Sequence, residues 1–254
     1  MSEKRRGGRV VFALLVLCCF RAGAEDFERA FGRSYADSMT TVTAQAPAWC
    51  RELERLGADP LTLIPVVFPE ILRFSYVRDR AETLGLEALY VTGGSSRADY
   101  SIGRFQMKPS FVERLESSLA AAAAIPEGFR AALAYPTAAN EPAAREIRLQ
   151  RLRDPRWQVL YLAAFAYIVE SRFDLESLSP EERIRFLAAA YNRGFWLSEE
   201  QIRSATEWKI FPRGAKGRPG PYRYADIAAD FYRREWRRIY EATTAAEQWR
   251  ARRP

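Results

Sequence analysis

Glu70 is the residue whose type and setting best fit a chemical role, that of a general acid. It interrupts an apolar run in which Val67, Ile71 and Phe74 fall at i, i+4 and i+7, the spacing of the buried side of a helix. Burial disfavours the charged form of a carboxyl group, so the pKa of Glu70 is expected above the ordinary value of about 4.3, and the group can hold a proton near neutral pH. Arg73, one helical turn further on, supports the alternative that Glu70 is half of a structural ion pair, which would lower that pKa.

The stretch Ser-Ile-Gly-Arg-Phe-Gln-Met-Lys-Pro-Ser at 101–110 predicts a constrained loop that forms the floor of a binding site. Gly103 can adopt backbone angles that other residues avoid, and Pro109 fixes φ at the start of a predicted helix. Constrained loops between rigid elements commonly carry binding residues. The alternative is a buried turn with a hydrogen-bonded glutamine. The candidate binding residues of this loop are Ser101, Gly103, Phe105, Gln106 and Met107.

Two further candidate binding residues, Tyr191 and Asn192, lie at the end of a predicted helix. Ser179 supplies the N-cap of this helix, with proline in the first helical position, and Gly194 stops it. Tyr191 also fits an ordinary core position, and Asn192 fits a helix-ending position. Both alternatives stay open.

The composition excludes several classes of catalytic site. The chain has no histidine, so it cannot build Ser-His-Asp or Cys-His catalysis or a histidine-based zinc site. It also lacks the Gly-x-x-x-x-Gly-Lys and Gly-x-Gly-x-x-Gly motifs, so nucleotide-dependent chemistry has no support. Hydrolytic chemistry would have to use carboxylates, Tyr, Lys or backbone groups, and we expect neither a metal nor a cofactor.

In order along the chain, these three segments resemble three motifs of the lysozyme-like soluble lytic transglycosylases and goose-type lysozymes. In those proteins the motifs read approximately Glu-Ser, Gly-Leu-Met-Gln-x-x-Pro-Ser and Ala-Tyr-Asn-x-Gly. The matching residues here are Glu70-Ile71, Gly103-Arg104-Phe105-Gln106-Met107-Lys108-Pro109-Ser110 and Ala190-Tyr191-Asn192-Arg193-Gly194. The resemblance spans roughly residues 61 to 195.

The resemblance implies an all-α, lysozyme-like domain that cleaves the β-1,4 bond between N-acetylmuramic acid and N-acetylglucosamine in peptidoglycan. Glu70 would protonate the glycosidic oxygen, while Gln106 and Phe105 would line the sugar cleft. Tyr191 and Asn192 would orient the glutamate or the N-acetyl group of the substrate. That N-acetyl group would assist departure of the leaving group, and the sugar's own 6-hydroxyl would then close a 1,6-anhydro ring. This route needs one carboxylate, whereas most glycosidases need two.

Departures from the family pattern support two alternative functions. Ile71 stands where the family usually has Ser. The 33 residues from Glu70 to Gly103 are closer to the goose-type arrangement, so Asp99 is a candidate for positioning a water and favouring hydrolysis, or else a plain turn residue. A goose-type-like muramidase is therefore one alternative. A non-catalytic glycan-binding envelope scaffold of the same fold, favoured by Ile71 and Arg73, is the other.

Helical periodicities and caps predict an all-α chain. The resemblance implies that this chain contains a lysozyme-like domain with extra N- and C-terminal helices. Individual predictions are a short helix from Pro47 to Gly57, a core helix at 157–173, a loop from Lys209 to Gly220 and a long basic amphipathic helix from Tyr222 to Trp249. We divide the chain into a signal peptide at 1–24, an N-terminal helical lead at 25–60, the lysozyme-like catalytic domain at 61–200 and a basic C-terminal helical extension at 201–254, packed on the same domain.

The first 24 residues predict a secretory signal peptide. Basic residues at 4–6 precede an apolar run at 10–20, and 22–24 is a small-x-small cleavage pattern. The run falls short of the roughly twenty residues that span a bilayer, and a leucine precedes Cys18 where lipoprotein signals have a small residue. An uncleaved anchor and a lipoprotein are thus the less favoured alternatives, and we expect export to the periplasm or cell envelope.

The net charge of +7 resides in the C-terminal part of the sequence. Residues 201–254 hold 13 Lys and Arg against 6 Asp and Glu, whereas residues 1–200 hold 26 of each. A basic region in an exported protein suits an anionic envelope polymer or a membrane surface, in addition to peptidoglycan glycan strands as the substrate. Export argues against nucleic acid as a partner. A solvated helix face is the structural alternative.

Overall fold

The computed structural model describes residues 26–76, 83–136, 140–212 and 220–251. Over these residues the chain is predominantly helical, which confirms the predicted all-α class. The predicted signal peptide at 1–24 lies outside the described residues. Within the described ranges, no helix combines the length and the apolar content needed to cross a bilayer.

The helices are, in chain order, α1 (Phe27–Phe31), α2 (Arg33–Arg55), α3 (Pro60–Tyr76), α4 (Thr83–Gly93), α5 (Pro109–Ala120), α6 (Arg130–Leu133), α7 (Glu141–Arg153), α8 (Pro155–Arg172), α9 (Pro180–Arg193), α10 (Glu199–Ala205), α11 (Tyr224–Phe231) and α12 (Arg237–Ala251). A 3-10 turn, Glu127–Phe129, precedes α6, and a π-helical segment, Tyr232–Trp236, joins α11 to α12. Two short antiparallel strands are β1 (Lys209–Phe211) and β2 (Tyr222–Arg223).

Helix α3 lies at the centre of the fold and carries Glu70. It packs against α2, α9 and α11, so apolar side chains around most of its circumference are buried. Burying one such side chain contributes about 1.5–3 kcal/mol, which holds the helix firmly in place. The ring of Phe68 stacks on that of Phe231 in α11, with 3.8 Å between the ring centroids. The C-terminal helix is therefore part of the core around α3. The fully buried side chains of α3 nearest Glu70 are Val66, Val67, Phe68, Ile71 and Leu72.

Two helices run through prolines. The predicted short helix starting at Pro47 is wrong in its start, because Pro47 lies inside α2. A proline inside a helix removes a hydrogen bond and costs about 3 kcal/mol. Buried side chains continue at helical spacing on both sides of this proline, and their packing outweighs that cost. Helix α3 likewise contains Pro65 and Pro69. The buried side chains of α2 that flank Pro47 are Val42, Ala46, Trp49 and Leu53.

The C-terminal region differs from the prediction where it begins. The segment 209–220, predicted to be a loop, starts with β1, which pairs with β2. The helix begins at Tyr224 instead of Tyr222 and continues through the π-helical segment into α12. Trp236 in that segment is fully buried, and its indole N–H donates to the carbonyl oxygen of Pro60 at 3.1 Å. This contact ties the basic helix to the start of α3.

Candidate active site

Glu70 borders a cavity of about 280 Å³ whose walls come from three separate parts of the chain. Helix α3 supplies Glu70, the loop before α5 supplies a second group of residues, and the end of α9 supplies a third. The structure thus brings most of the predicted site residues to one place. The predicted site residues that line the cavity are Glu70, Asp99, Ser101, Gln106, Met107, Tyr191 and Asn192.

The carboxyl group of Glu70 is buried and paired at the same time. The residue is 4% exposed, and Nη1 of Arg73 donates to both of its carboxylate oxygens at 2.9 Å. Burial raises the pKa of Glu70 above its ordinary value, while the charge of Arg73 and the side chain of Asn192 act in the opposite direction without cancelling the rise. The burial of Glu70 and its ion pair with Arg73, both considered from the sequence, are present together. Burial has a larger effect on the pKa of Glu70 than the ion pair has.

Gly103 permits the tight turn that forms the floor of the cavity. Ile102 and Met107 exchange two backbone hydrogen bonds of 2.9 and 3.1 Å, and Gly103 lies between them with φ of +69°. A Cβ atom at Gly103 would lie 1.4 Å from Nε2 of Gln158, a buried side chain of α8. Oε1 of Gln158 accepts from the backbone N–H of Phe105 at 2.9 Å. The turn therefore requires a residue without a side chain.

Gln106 lines the cavity in a backbone conformation that a side chain normally disfavours. Its φ is +50°, and its Nε2 donates to the carbonyl oxygen of Gly103 at 2.7 Å. A residue other than glycine held in the left-handed region costs on the order of 1–3 kcal/mol, and such residues cluster at functional sites. The surrounding turn maintains this conformation, which supports Gln106 as a binding residue.

Tyr191 anchors the loop to helix α9. Its hydroxyl donates to the carbonyl oxygen of Phe105 at 2.7 Å, and burial raises the pKa of this hydroxyl, so it stays a neutral donor. Phe105 itself is 1% exposed and packs against Trp49 with 5.2 Å between ring centroids. The structure therefore does not bring Phe105 to the cavity, where it was expected to line the sugar cleft. Phe105 supports the loop from below. Gly103, also expected to bind substrate, shapes the turn and does not line the cavity.

Asp99 lines the cavity while serving the start of α5. Its Oδ1 accepts from the backbone N–H of Ser110 at 3.0 Å, and its Oδ2 lies 3.5 Å from Nζ of Lys108. The carboxylate thus satisfies an N–H group that the first turn of the helix leaves without an intrahelical partner. This is the turn role foreseen as the alternative, at a position that still faces the cavity.

Several residues that shape the site were not predicted. The hydroxyl of Tyr224 donates to the carbonyl oxygen of Val66 at 3.2 Å, which places a buried ring from α11 beside Glu70. One feature of the sequence could have indicated a structural role for Gln158, because it is a polar residue within the most apolar predicted helix. No feature of the sequence indicates that Trp196 lines the cavity.

A larger cavity, about 440 Å³, lies beside α4, α5 and α7. Its carboxylates already have protein partners: Glu113 accepts from Tyr90 and Ser95 at 2.9 and 2.6 Å, and Glu116 accepts from Arg148 at 2.7 Å. This network is satisfied without a ligand, so the cavity at Glu70 is the better candidate site. Among the described residues, no group of three or more Cys, Asp and Glu is arranged to hold a metal ion.

Comparison of the chain with protein-family models, with curated proteins and with solved structures finds no match.

Proposed function

We propose that the protein is a peptidoglycan lytic transglycosylase with a lysozyme-like helical domain, and that Glu70 is its general acid and base. The observation that carries this proposal is the meeting of Glu70, Gln106 and Asn192 in one cavity, with the pKa of the glutamate raised by burial. An acid that keeps its proton near neutral pH is what protonation of a glycosidic oxygen requires.

The proposed reaction proceeds in two steps. Glu70 donates its proton to the oxygen between N-acetylmuramic acid and N-acetylglucosamine, and the bond from that oxygen to the muramyl C1 breaks as the N-acetyl oxygen of the muramyl unit attacks C1. The leaving sugar departs with a free 4-hydroxyl. Glu70, now a carboxylate, then takes the proton from the muramyl 6-hydroxyl, whose oxygen displaces the N-acetyl oxygen and closes the 1,6-anhydro ring. One carboxylate serves both steps, in keeping with the single buried carboxyl group of this cavity.

The contact with Arg73 is compatible with this role. A protonated carboxyl group has one carbonyl oxygen that accepts hydrogen bonds and one hydroxyl that donates. Nη1 of Arg73 can keep its bond to the carbonyl oxygen of Glu70 while the hydroxyl is directed at the substrate. Arg73 would then orient the acid.

Two alternatives each have a specific observation in their favour. Hydrolysis by a muramidase is favoured by Asp99, which lines the same cavity and would position a water. A non-catalytic glycan-binding scaffold is favoured by the pairing of Glu70 with Arg73. Release of soluble muropeptides by the purified chain separates catalysis from binding. Mass spectrometry of the products then distinguishes anhydro ends from reducing ends, which differ by one water.

The proposed location is the periplasm or cell envelope, where the predicted signal peptide would send the chain. A contact between the basic C-terminal helix and an anionic polymer or membrane surface belongs to the same proposal. The positive charge of this helical region is partly compensated, since Arg233 and Arg234 both pair with Asp230. Deleting the helix would remove buried core residues, so the sharper test is Arg237→Gln. Reduced binding to anionic lipid vesicles is the expected outcome. Unchanged binding would show that Arg237 takes no part in the proposed contact.

A further inference from the structure

Two arginines beside Glu70, Arg73 and Arg193, carry hydrogen-bond donors that have no partner among the described residues. Both side chains line the cavity at Glu70. Nε and Nη2 of Arg73 and Nε of Arg193 are buried and have no hydrogen-bond partner among the described residues. Five buried side-chain atoms of the described chain lack a partner, and these two arginines account for three of them. Most of the unpaired atoms thus belong to two residues that line the same cavity.

Such an arrangement indicates a missing ligand. Leaving a buried donor unsatisfied costs about 1–3 kcal/mol, and more when the group is charged. Proteins therefore pair nearly all buried polar groups, and exceptions point to a role. An acceptor that enters the cavity would satisfy these N–H groups.

Aromatic rings hold both guanidinium groups in place. The guanidinium carbon of Arg73 lies 5.1 Å from the ring centroid of Phe211, and that of Arg193 lies 4.6 Å from the ring centroid of Trp208. A cation over an aromatic face gains about 0.5–2 kcal/mol, and the stacking leaves the edges of the guanidinium plane free to donate. The two aromatic rings thus restrict the guanidinium groups without using their N–H donors.

The charges that line the cavity also favour an anion. Lys108 is matched by Asp99 at 3.5 Å. The remaining cations are Arg73 and Arg193, and the remaining carboxyl group is Glu70, which the proposed reaction uses in its protonated, neutral form. In that state the cavity carries an excess of positive charge. The fork of N–H groups on a guanidinium matches the two oxygens of a carboxylate.

We propose that Arg73 and Arg193 form a subsite for a carboxylate carried by the glycan strand next to the bond that is cleaved. This inference rests on the proposed function and names the feature that the site would select, an acidic glycan over an uncharged one. In peptidoglycan the carboxylate can belong to the lactyl group or to the attached peptide. Nε and Nη2 of Arg73 would bind this carboxylate while Nη1 keeps its bond to Glu70.

The test measures binding without turnover. In the full chain carrying Glu70→Gln, affinities are compared for an uncharged N-acetylglucosamine oligomer, for glycan strands stripped of peptide that keep the lactyl carboxylate, and for intact peptide-bearing strands. We expect the Glu70→Gln chain to bind an acidic strand more tightly than the uncharged oligomer. Preference for the stripped strand identifies the lactyl carboxylate, and preference for the intact strand alone identifies the peptide.

Arg73→Gln and Arg193→Gln are then added singly. Because a hydrogen bond to a charged group contributes about 1.5–3 kcal/mol, each change is expected to weaken binding of the acidic strand about tenfold or more. Affinity for the uncharged oligomer should stay within about twofold. Arg183→Gln is the matched control, since Arg183 also has an unpaired buried Nε but lines another cavity. This change removes the same charge and should leave all three affinities unaltered.

The outcomes separate the subsite from the proposed reaction. Equal losses for charged and uncharged ligands, no loss in either variant, or the same loss with Arg183→Gln would each overturn the subsite. Muropeptide release that persists in both arginine variants with unchanged strand affinity would overturn the subsite and leave the transglycosylase in place. Charge-selective binding without any muropeptide release would support the subsite and overturn the transglycosylase. Arg193→Gln leaves the pair of Arg73 with Glu70 intact, so it guards against a folding defect of Arg73→Gln, and thermal unfolding checks both variants.

Discussion

Nη1 of Arg73 lies 2.9 Å from each carboxylate oxygen of Glu70, so a cation touches a buried acid on one face while the cavity adjoins it. The two effects on the acid oppose each other. Burial raises the pKa of Glu70, Arg73 acts to lower it, and burial has the larger effect. The pKa of Glu70 therefore depends on the balance between its burial and its contact with Arg73.

Arg73→Gln should extend activity to higher pH. A general acid is active while it holds its proton, so muropeptide release is lost as pH rises through the pKa of Glu70. Removing the guanidinium removes the charge that favours the ionised form, so the alkaline limb of the pH–rate profile should move upward. Lys108 and Asn192 still lower the pKa of Glu70 in this variant, so they limit how far the alkaline limb moves. A shift to lower pH would contradict the assignment, and Arg183→Gln is the control for loss of one charge.

Glu70 should also make folding stability depend on pH. Its pKa is raised in the folded state, so the folded chain binds the proton more tightly than the unfolded chain does. This contribution is present below the ordinary pKa of about 4.3 and is lost as pH rises through the folded pKa. Glu70→Gln removes this titration. The free energy of unfolding of Glu70→Gln, relative to that of the unchanged chain, should therefore be higher at pH 8 than at pH 4. The opposite result would show that Arg73 has a larger effect than burial on the pKa of Glu70.

Gly103→Ala should be much more destabilising than Gly57→Ala. Both glycines have positive φ, +69° and +73°, so both substitutions incur the left-handed penalty of about 1–2 kcal/mol. A Cβ at Gly57 has no atom within 4 Å, whereas one at Gly103 meets Gln158 at 1.4 Å. Overpacking adds about 1–3 kcal/mol, which chemical denaturation of the two variants can resolve. Equal losses would mean that the turn can shift to accept a side chain.

Tyr191→Phe should impair the site through the loop. The change leaves the carbonyl oxygen of Phe105 buried without its 2.7 Å donor, at a cost of about 1–3 kcal/mol. Tyr167→Phe is the control, because its hydroxyl donates to the carbonyl oxygen of Ala124 at an exposed position. We expect Tyr191→Phe to lower both the free energy of unfolding and the rate of muropeptide release, and Tyr167→Phe to change neither by much. If the two variants lost equal stability and activity, Tyr191 would not be the residue that anchors the loop.

The sequence was informative where structure follows from local pattern. The buried stripe around Glu70, the turn at Gly103 and the N-cap at Ser179 all depend on residues a few positions apart, and the structure contains each of them. Pro47 shows the limit of local rules, since packing of the flanking apolar residues overrides the tendency of proline to begin a helix.

The partners of the site residues depend on contacts that no local pattern contains. The hydroxyl of Tyr191 meets Phe105 across 86 positions, and that of Tyr224 meets Val66 across 158. The burial of Phe105 follows from such packing, which is why it lies under the loop instead of facing the cavity. Arg73 was visible as a neighbour of Glu70, but the balance between its charge and burial required the surrounding helices.

Muropeptide release by Glu70→Gln tests the central claim most directly. The purified chain is incubated with peptidoglycan sacculi beside Glu70→Gln and the matched variant Glu113→Gln, whose carboxyl group lies in the other cavity. Loss of a general acid lowers a rate by about 10²–10⁴-fold, so Glu70→Gln should release almost nothing while Glu113→Gln releases soluble muropeptides with 1,6-anhydro ends. Undiminished release by Glu70→Gln would contradict the assignment of this glutamate as the acid.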